Sequence, residues 1–225
     1  MKNTELILAL DVENFSAAEN LLLKFKGIIK YYKVGSSLFT LEGPKIINLI
    51  HKYGGRVFLD LKFHDIPNTV KNAVISAQKL GVYSLSLHIA GGAKMIEMCA
   101  SLNERPKLWG ISVLTSFDEE VFALTGFKHD ISSTMNKLSD LGARVGLSGL
   151  VCSGAEIEML RKKFPSNMDI VVPGIRLENE ADDQKRVITP KKAKELGADF
   201  IVVGRPILKS PNPNKTVEII LKELE

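Results

Sequence analysis

The sequence predicts an α/β fold, a single-domain (β/α)8 (TIM) barrel spanning residues 1–225. Three observations lead there. Short apolar runs recur along the whole chain, with amphipathic stretches between them. The runs are continuous rather than alternating, as in parallel strands buried on both faces. Eight of them, each followed by a helical pattern, fit in about the length that one such barrel needs. A doubly wound open sheet shows the same alternation and is the architectural alternative.

The elements follow in order. ELILALDV (5–12) is the first strand, and residues 16–27 then carry helical spacing through Ala17, Leu21, Leu22 and Phe25. IIKYYKVG (28–35) is strand and 42–53 helix; RVFLDLK (56–62) is strand and 69–80 helix, closed by Gly81. VYSLSLHI (82–89) precedes a helix at 93–102. KLWGISVLT (107–115) is followed by a short helix near 118–124 and a longer one at 132–142. VGLSGLVC (145–152) is strand and 155–164 helix; MDIVVPGI (168–175) is strand and 189–196 helix; ADFIVVGR (198–205) is the last strand and 214–224 the last helix. No linker, low-complexity tract or coiled-coil repeat interrupts the series.

Composition narrows the function classes. With 45% hydrophobic residues the chain can bury one sizeable core, and its mean hydropathy of +0.06 is that of a soluble globular protein. A formal charge of +4, spread evenly, is too mild for a nucleic-acid binder but suits a protein that handles small anions. Cys99 and Cys152 form no CxxC, so no disulfide framework or zinc site is expected, and a reduced cytoplasm fits. The apolar run at Leu6–Leu10 is broken by Asp11, so no signal peptide is expected, and no window approaches a membrane span.

Polar residues cluster at the strand ends. Asp11, Lys33, Asp60 with Lys62, His88, Thr115, Ser153, Pro173-Gly174 and Gly204-Arg205 close strands 1 to 8 in turn. In a barrel these ends meet on the face where active sites are built. Asp60 and Lys62 are two apart, so extended backbone points them to one side, where Lys33 can join them. With Asp65 the charges alternate, Lys33–Asp60–Lys62–Asp65. A fixed array of this kind can stabilise shifting charge with little reorganisation. A surface salt-bridge network is the competing reading.

The last two loops suggest a phosphate. Arg176 and Arg205 supply planar donors, Gly174 and Gly204 permit close backbone approach, and Gln184 offers an amide. The polar segment from Ile175 to Ile188 is long enough to form a lid, a solvated loop being the alternative. His88 with Asp11 and Asp60 could ligate a metal, but Lys33 and Lys62 would repel the cation, so a packing histidine is the better reading. His51, His64 and His129 read as loop or helix-surface residues, Met95, Ile96 and Met98 as helix core, and Trp109 as core of strand 5. HIAGGA (88–93) is a weak anion-cradle signal, and GLSGL (146–150) does not match the G-x-S-x-G elbow.

DLKFHDIPNT (60–69), with its D-x-K-x-x-D-I-P-x-T pattern, resembles the signature of the orotidine 5′-phosphate decarboxylase family. ALD (9–11), KVGSSLF (33–39), SVLTS (112–116), PGIR (173–176), DQKR (183–186) and VGRPI (203–207) are similar to segments of the bacterial enzymes, in the family order. The resemblance implies decarboxylation of orotidine 5′-monophosphate to UMP and CO2, the last step of de novo pyrimidine synthesis, with no metal and no cofactor. It implies that Lys62 protonates C6, Asp60 faces the substrate carboxylate, and Lys33 orients Asp60 and touches the ribose. Asp11 would bind a ribose hydroxyl and Thr115 the pyrimidine region. Arg176, Gln184, Gly204 and Arg205 would hold the phosphate, with Pro173 shaping the pocket. Asp65, Ile66 and Thr69 would reach into a neighbouring subunit's site, making a homodimer with shared sites.

Two alternatives stand beside it. One is a Mg²⁺-dependent relative such as 3-keto-L-gulonate-6-phosphate decarboxylase or hexulose-phosphate synthase, which share D-x-K-x-x-D; Lys33 argues against the cation. The other is a non-catalytic, nucleotide-binding barrel, which an intact charged array does not favour.

Overall fold

A computed structural model describes residues 3–164, 167–177 and 188–225. Eight parallel strands close in sequence order into one barrel: β1 Glu5–Ala9, β2 Tyr31–Gly35, β3 Arg56–Phe63, β4 Ser84–His88, β5 Lys107–Ile111, β6 Gly149–Val151, β7 Asp169–Val172 and β8 Phe200–Val203. The last strand pairs with the first, Leu6 opposite Ile201 and Leu8 opposite Val203. This closure excludes the open doubly wound sheet.

Helices fill every crossover. They are α1 Phe15–Lys24, α2 Ser36–Glu42, α3 Pro44–Lys52, α4 Pro67–Lys79, α5 Ala93–Ala100, α6 Glu119–Ala123, α7 Ile131–Arg144, α8 Ile157–Lys163, α9 Pro190–Glu195, α10 Arg205–Leu208 and α11 Pro213–Glu223. Their starts carry local signals. The Asn14, Asp118, Asp130, Thr189 and Asn212 side chains accept backbone N–H groups in the first turns of α1, α6, α7, α9 and α11. Proline sits in the first turn of α3, α4, α9, α10 and α11. Gly81, at φ +69, follows α4 in the left-handed conformation that a helix exit favours.

Two apolar cores result. The larger lies between strands and helices, where Leu8, Val34, Leu59, Leu85, Leu108 and Ile170 meet Leu22, Ile46, Val74 and Ile96. The smaller fills the barrel: Ile7, Ala9, Tyr31, Phe58, Trp109, Val171, Phe200 and Val202. Its rings interlock at centroid distances of 4.7 Å (Phe58–Trp109), 5.0 Å (Trp109–Phe200) and 5.4 Å (Tyr31–Phe200). At the N-terminal end of the strands, Asp169 accepts from Lys107 Nζ at 2.6 Å and Trp109 Nε1 at 3.1 Å. The opposite, C-terminal mouth gathers the charged residues Asp11, Lys33, Asp60 and Lys62.

The structure departs from the sequence reading in several places. The second strand starts at Tyr31 rather than residue 28, because α1 leads into a turn in which Ile28 and Ile29 N–H donate to Phe25 O. Lys33 is therefore mid-strand, not terminal. Strand 6 shrinks to three residues, since Leu147 N–H returns to Gly142 O after α7. Two short helices were not anticipated. α2 occupies residues 36–42 and is set off from α3 by Gly43 at φ +57. α10 follows directly on β8. Trp109 and Met95 are fully buried, as expected of core residues, and His51, His64 and His129 are exposed. No helix among the described residues is long and apolar enough to cross a membrane.

Candidate active site

The C-terminal mouth holds a cavity of about 260 Å³. Its base is apolar, with Ala9, Phe58, Val151 and Val202 rising from the barrel core and Ile111 beside them. Set around that base are Asp11, Lys33, Asp60 and Lys62 on one side and Thr115, Pro173, Arg176, Gly204 and Arg205 around the rim.

The charged side is tightly connected. Lys62 Nζ lies 2.9 Å from both Asp60 oxygens. Lys33 Nζ is 2.9 Å from Asp11 Oδ1 and 3.8 Å from Asp60 Oδ2. Asp60 is buried at 9% exposure, so its carboxylate exchanges most of its water for these ammonium groups. Register explains why the three meet. β2 and β3 pair Gly35 with Asp60 and Lys33 with Phe58, so Lys33 and Asp60 sit two positions apart on neighbouring strands. The close packing is visible at Gly35, where a Cβ would lie 3.1 Å from Lys33 Nζ and 3.5 Å from Asp11 Oδ1.

Lys62 does not reach Asp60 through the regular extended backbone that the i, i+2 spacing implied. Its φ is +50, one of two non-glycine residues with positive φ among those described. Such a conformation costs an L-residue about 1–2 kcal/mol. It falls within an irregularity in the β3–β4 ladder: Leu59 to Phe63 spans four residues on β3, against two, Leu85 to Leu87, on β4. Inside this bulge the Lys62 N–H donates to Ser86 Oγ at 2.9 Å, and Ser86 Oγ donates to Asp60 Oδ1 at 2.7 Å. Ser86 is fully buried. The sequence reading did not single it out, although Ser84, Ser86 and His88 alternate along SLSLH and so share one face.

The remaining predicted residues divide. Asp65, Ile66 and Thr69 do not line this cavity. Asp65 lies past the strand end, where its carboxylate accepts its neighbour Ile66's N–H at 2.6 Å; among the described residues it forms no ion pair, so the array within one chain has three members on β2 and β3, joined by Asp11. Ile66 is 67% exposed. Gln184 lies outside the described residues. Arg176 is buried, its Nη1 donating to Ile175 O at 2.8 Å, and Gly174 beside it takes φ +77, which a side chain would strain. Arg205 opens α10 directly after β8.

The histidines and cysteines are poor candidates for chemistry. His88 ends β4 with its ring 5.2 Å from that of His64. Burial, then the charges of His64 and Lys62, hold its pKa below the ordinary 6.5, so it is neutral at neutral pH. Burial pushes the Cys99 thiol up to about 11 and the Cys152 thiol higher still, which leaves neither as a nucleophile. No cluster of three or more His, Cys, Asp or Glu suited to a metal occurs among the described residues.

Known proteins share this arrangement of fold and sequence. The family model described as orotidine 5′-phosphate decarboxylase / HUMPS family matches residues 4–220. A protein of Trichlorobacter lovleyi named orotidine 5′-phosphate decarboxylase is 39% identical, the match covering 98% of this chain and 95% of that one. One of Legionella pneumophila with the same name is 41% identical over 98% of this chain and 99% of its own. The crystal structure of orotidine 5′-phosphate decarboxylase from Lactobacillus acidophilus superposes with a TM-score of 0.87 at 32% identity, covering 99% of this chain and all of that one. With its barrel closed in the same way over almost its entire length, the chain belongs to the orotidine 5′-phosphate decarboxylase / HUMPS family.

Proposed function

We propose that this chain decarboxylates orotidine 5′-monophosphate to UMP and CO2, the step that completes de novo pyrimidine synthesis, in the cytoplasm and without a metal or organic cofactor. The observation that carries the proposal is the Lys33–Asp60–Lys62 array at the edge of a cavity with an apolar base and a polar rim. Breaking the C6–carboxylate bond leaves an electron pair on C6 that the pyrimidine delocalises poorly. An ammonium held beside C6 lowers the energy of that carbanion and then supplies its proton. In this reading the bond electrons stay on C6, CO2 departs, and Lys62 gives up one N–H proton to form the C6–H bond; its neutral amine is reprotonated from solvent. Asp60 keeps the ammonium aimed and faces the substrate carboxylate, and Lys33 holds Asp60.

The rim supplies the rest of the nucleotide's contacts. Arg176 and Arg205 take the phosphate, with Gly204 and the amide of Gln184. Asp11 takes a ribose hydroxyl, while Thr115 and Pro173 bound the base. Phosphate contacts far from C6 contribute binding energy that fixes the reacting geometry. The exposed Asp65, Ile66 and Thr69 turn away from their own cavity, which supports their completing the site of a second copy in a homodimer.

The direct test is loss of the orotate absorbance when purified protein meets orotidine 5′-monophosphate. Absence of turnover with UMP binding retained would point instead to a nucleotide-binding barrel, and activity abolished by EDTA would point to a Mg²⁺-dependent relative. Mixing inactive Lys62→Ala with inactive Asp65→Asn tests the shared site. Restored activity on mixing requires that one subunit's Asp65 serve the other's Lys62; no recovery would refute it.

A further inference from the structure

We infer that Ser86 is a positioning residue for Lys62, acting through the backbone of β3. The inference rests on the proposed decarboxylation and adds a group that touches neither substrate nor reacting atoms. Three observations converge on it. β3 carries two more residues than β4 across the bulge, so the Lys62 N–H has lost its regular place in the ladder. The Ser86 hydroxyl is the acceptor it has instead, at 2.9 Å. The same hydroxyl spends its own proton on Asp60 Oδ1 at 2.7 Å, so one oxygen fixes both the main chain of Lys62 and the carboxylate that aims its ammonium.

The backbone at Lys62 gives this arrangement its consequence. At φ +50 the residue sits in a region that lysine leaves when nothing holds it. A return toward negative φ would swing Cβ, and with it the Nζ now 2.9 Å from Asp60. Backbone amide, hydroxyl and carboxylate form a chain in which the amide donates, the hydroxyl both accepts and donates, and the carboxylate accepts. Removing the hydroxyl strands a part-buried N–H and takes one donor from the Asp60 carboxylate at the same time. Ser84 provides an internal comparison. It is two residues earlier on the same strand and equally buried, yet its hydroxyl has no hydrogen-bond partner among the described residues.

The test uses the full-length protein. Ser86→Ala is expected to lower kcat for orotidine 5′-monophosphate roughly 10- to 100-fold, the scale of an ångström-level misplacement of a reacting group. The Kd for UMP, which lacks the C6 carboxylate, should stay within about 3-fold, because the phosphate rim is untouched. Hydrogen exchange at the Lys62 amide in the free protein should accelerate, and Ser84→Ala should leave kcat at the wild-type value. If Ser86→Ala does not fold, Ser86→Cys keeps nearly the same volume with a much weaker donor and acceptor and should show the same pattern. Wild-type kcat in Ser86→Ala, or an unchanged Lys62 exchange rate, overturns the inference. So does a rise in UMP Kd with kcat preserved. Should the wild-type protein not turn over orotidine 5′-monophosphate, the proposed function falls, and the Lys62 exchange rates still decide for or against the Ser86 link.

Discussion

Lys62 lends itself to a comparison that separates its chemistry from its backbone. Lys62→Ala and Lys62→Gly both remove the ammonium, so both should lose activity to the same degree. A positioned general acid contributes roughly 10²–10⁴-fold, and stabilising a developing charge contributes on the order of 10²–10³-fold. Together they put the expected loss at 10⁴-fold or more, about 5 kcal/mol of barrier. Stability should separate the pair in an unusual order. In a regular strand, glycine is less stable than alanine by about 0.5–1 kcal/mol. At φ +50, alanine keeps a left-handed penalty of about 1–2 kcal/mol that glycine avoids. Lys62→Gly should therefore be the more stable variant by about 0.5–1 kcal/mol, or roughly 1–4 °C in Tm for a chain of this size. Arg56, at the exposed start of the same strand with no positive φ, supplies the control: there the glycine variant should be the less stable. The assays are the orotate absorbance decay and thermal melts. Lys62→Ala melting above Lys62→Gly would refute the strained geometry, and activity within 10-fold of wild type in either variant would refute the role of the ammonium.

Three further outcomes are expected. Gly35→Ala adds a Cβ 3.1 Å from Lys33 Nζ at a φ of −88 that any residue adopts, so it should lower kcat/KM about 10-fold by displacing that ammonium while leaving Tm in place; an unchanged kcat/KM would show that the array tolerates movement of Lys33. His88 is held below its ordinary pKa of 6.5, so the unfolded chain binds the proton first and stability should fall as pH drops below about 6.5; urea midpoints for wild type and His88→Asn between pH 5 and 7.5 check this, the variant showing the flatter profile. Trp109→Phe removes the indole donor to Asp169 at the floor of the barrel and should cost about 1.5–3 kcal/mol of stability with kcat unchanged, as a change at the face opposite the site should; a fall in kcat would mean that floor and mouth are coupled.

The barrel was legible because its signal repeats. Runs such as ELILA, DIVV and FIVV are apolar on both faces and too short for helices, and each lies before an amphipathic stretch. The position of the charges was legible for the same reason, since the ends of parallel strands must meet at one mouth. Helix α2 was less visible. SSLFTLE has no side-chain cap at its start and carries three hydroxyl residues in seven, and only Gly43 at φ +57 divides it from α3. Ser86 was hidden by its chemistry: a serine in a buried strand looks like tolerated polarity until its two partners are known. The left-handed backbone at Lys62 carried no sequence signal at all, because glycine, asparagine and aspartate are the residues that advertise positive φ.

That last gap bears on how the stretch DLKFHDIPNT works. A strand in regular register would point Asp60 and Lys62 into the mouth, as their spacing suggests, and β4 would hold both through its carbonyls alone. The two surplus residues on β3 break that ladder at the position where the charges stand. The main chain there is then held by a side chain, Ser86, whose hydroxyl also binds Asp60. Past the bulge the chain leaves the strand, and Asp65 turns back onto the Ile66 N–H before Pro67 starts α4. The bulge thus separates two directions within ten residues: inward for Asp60 and Lys62, outward for Asp65, Ile66 and Thr69. An unbroken strand would keep Asp60 and Lys62 on one face, their Cα atoms about 6.6 Å apart, without fixing the distance from ammonium to carboxylate. Here their contact depends on strain at one φ and on one hydroxyl, so the geometry of the proposed proton donor should be sensitive to substitutions on β4 that never touch the nucleotide.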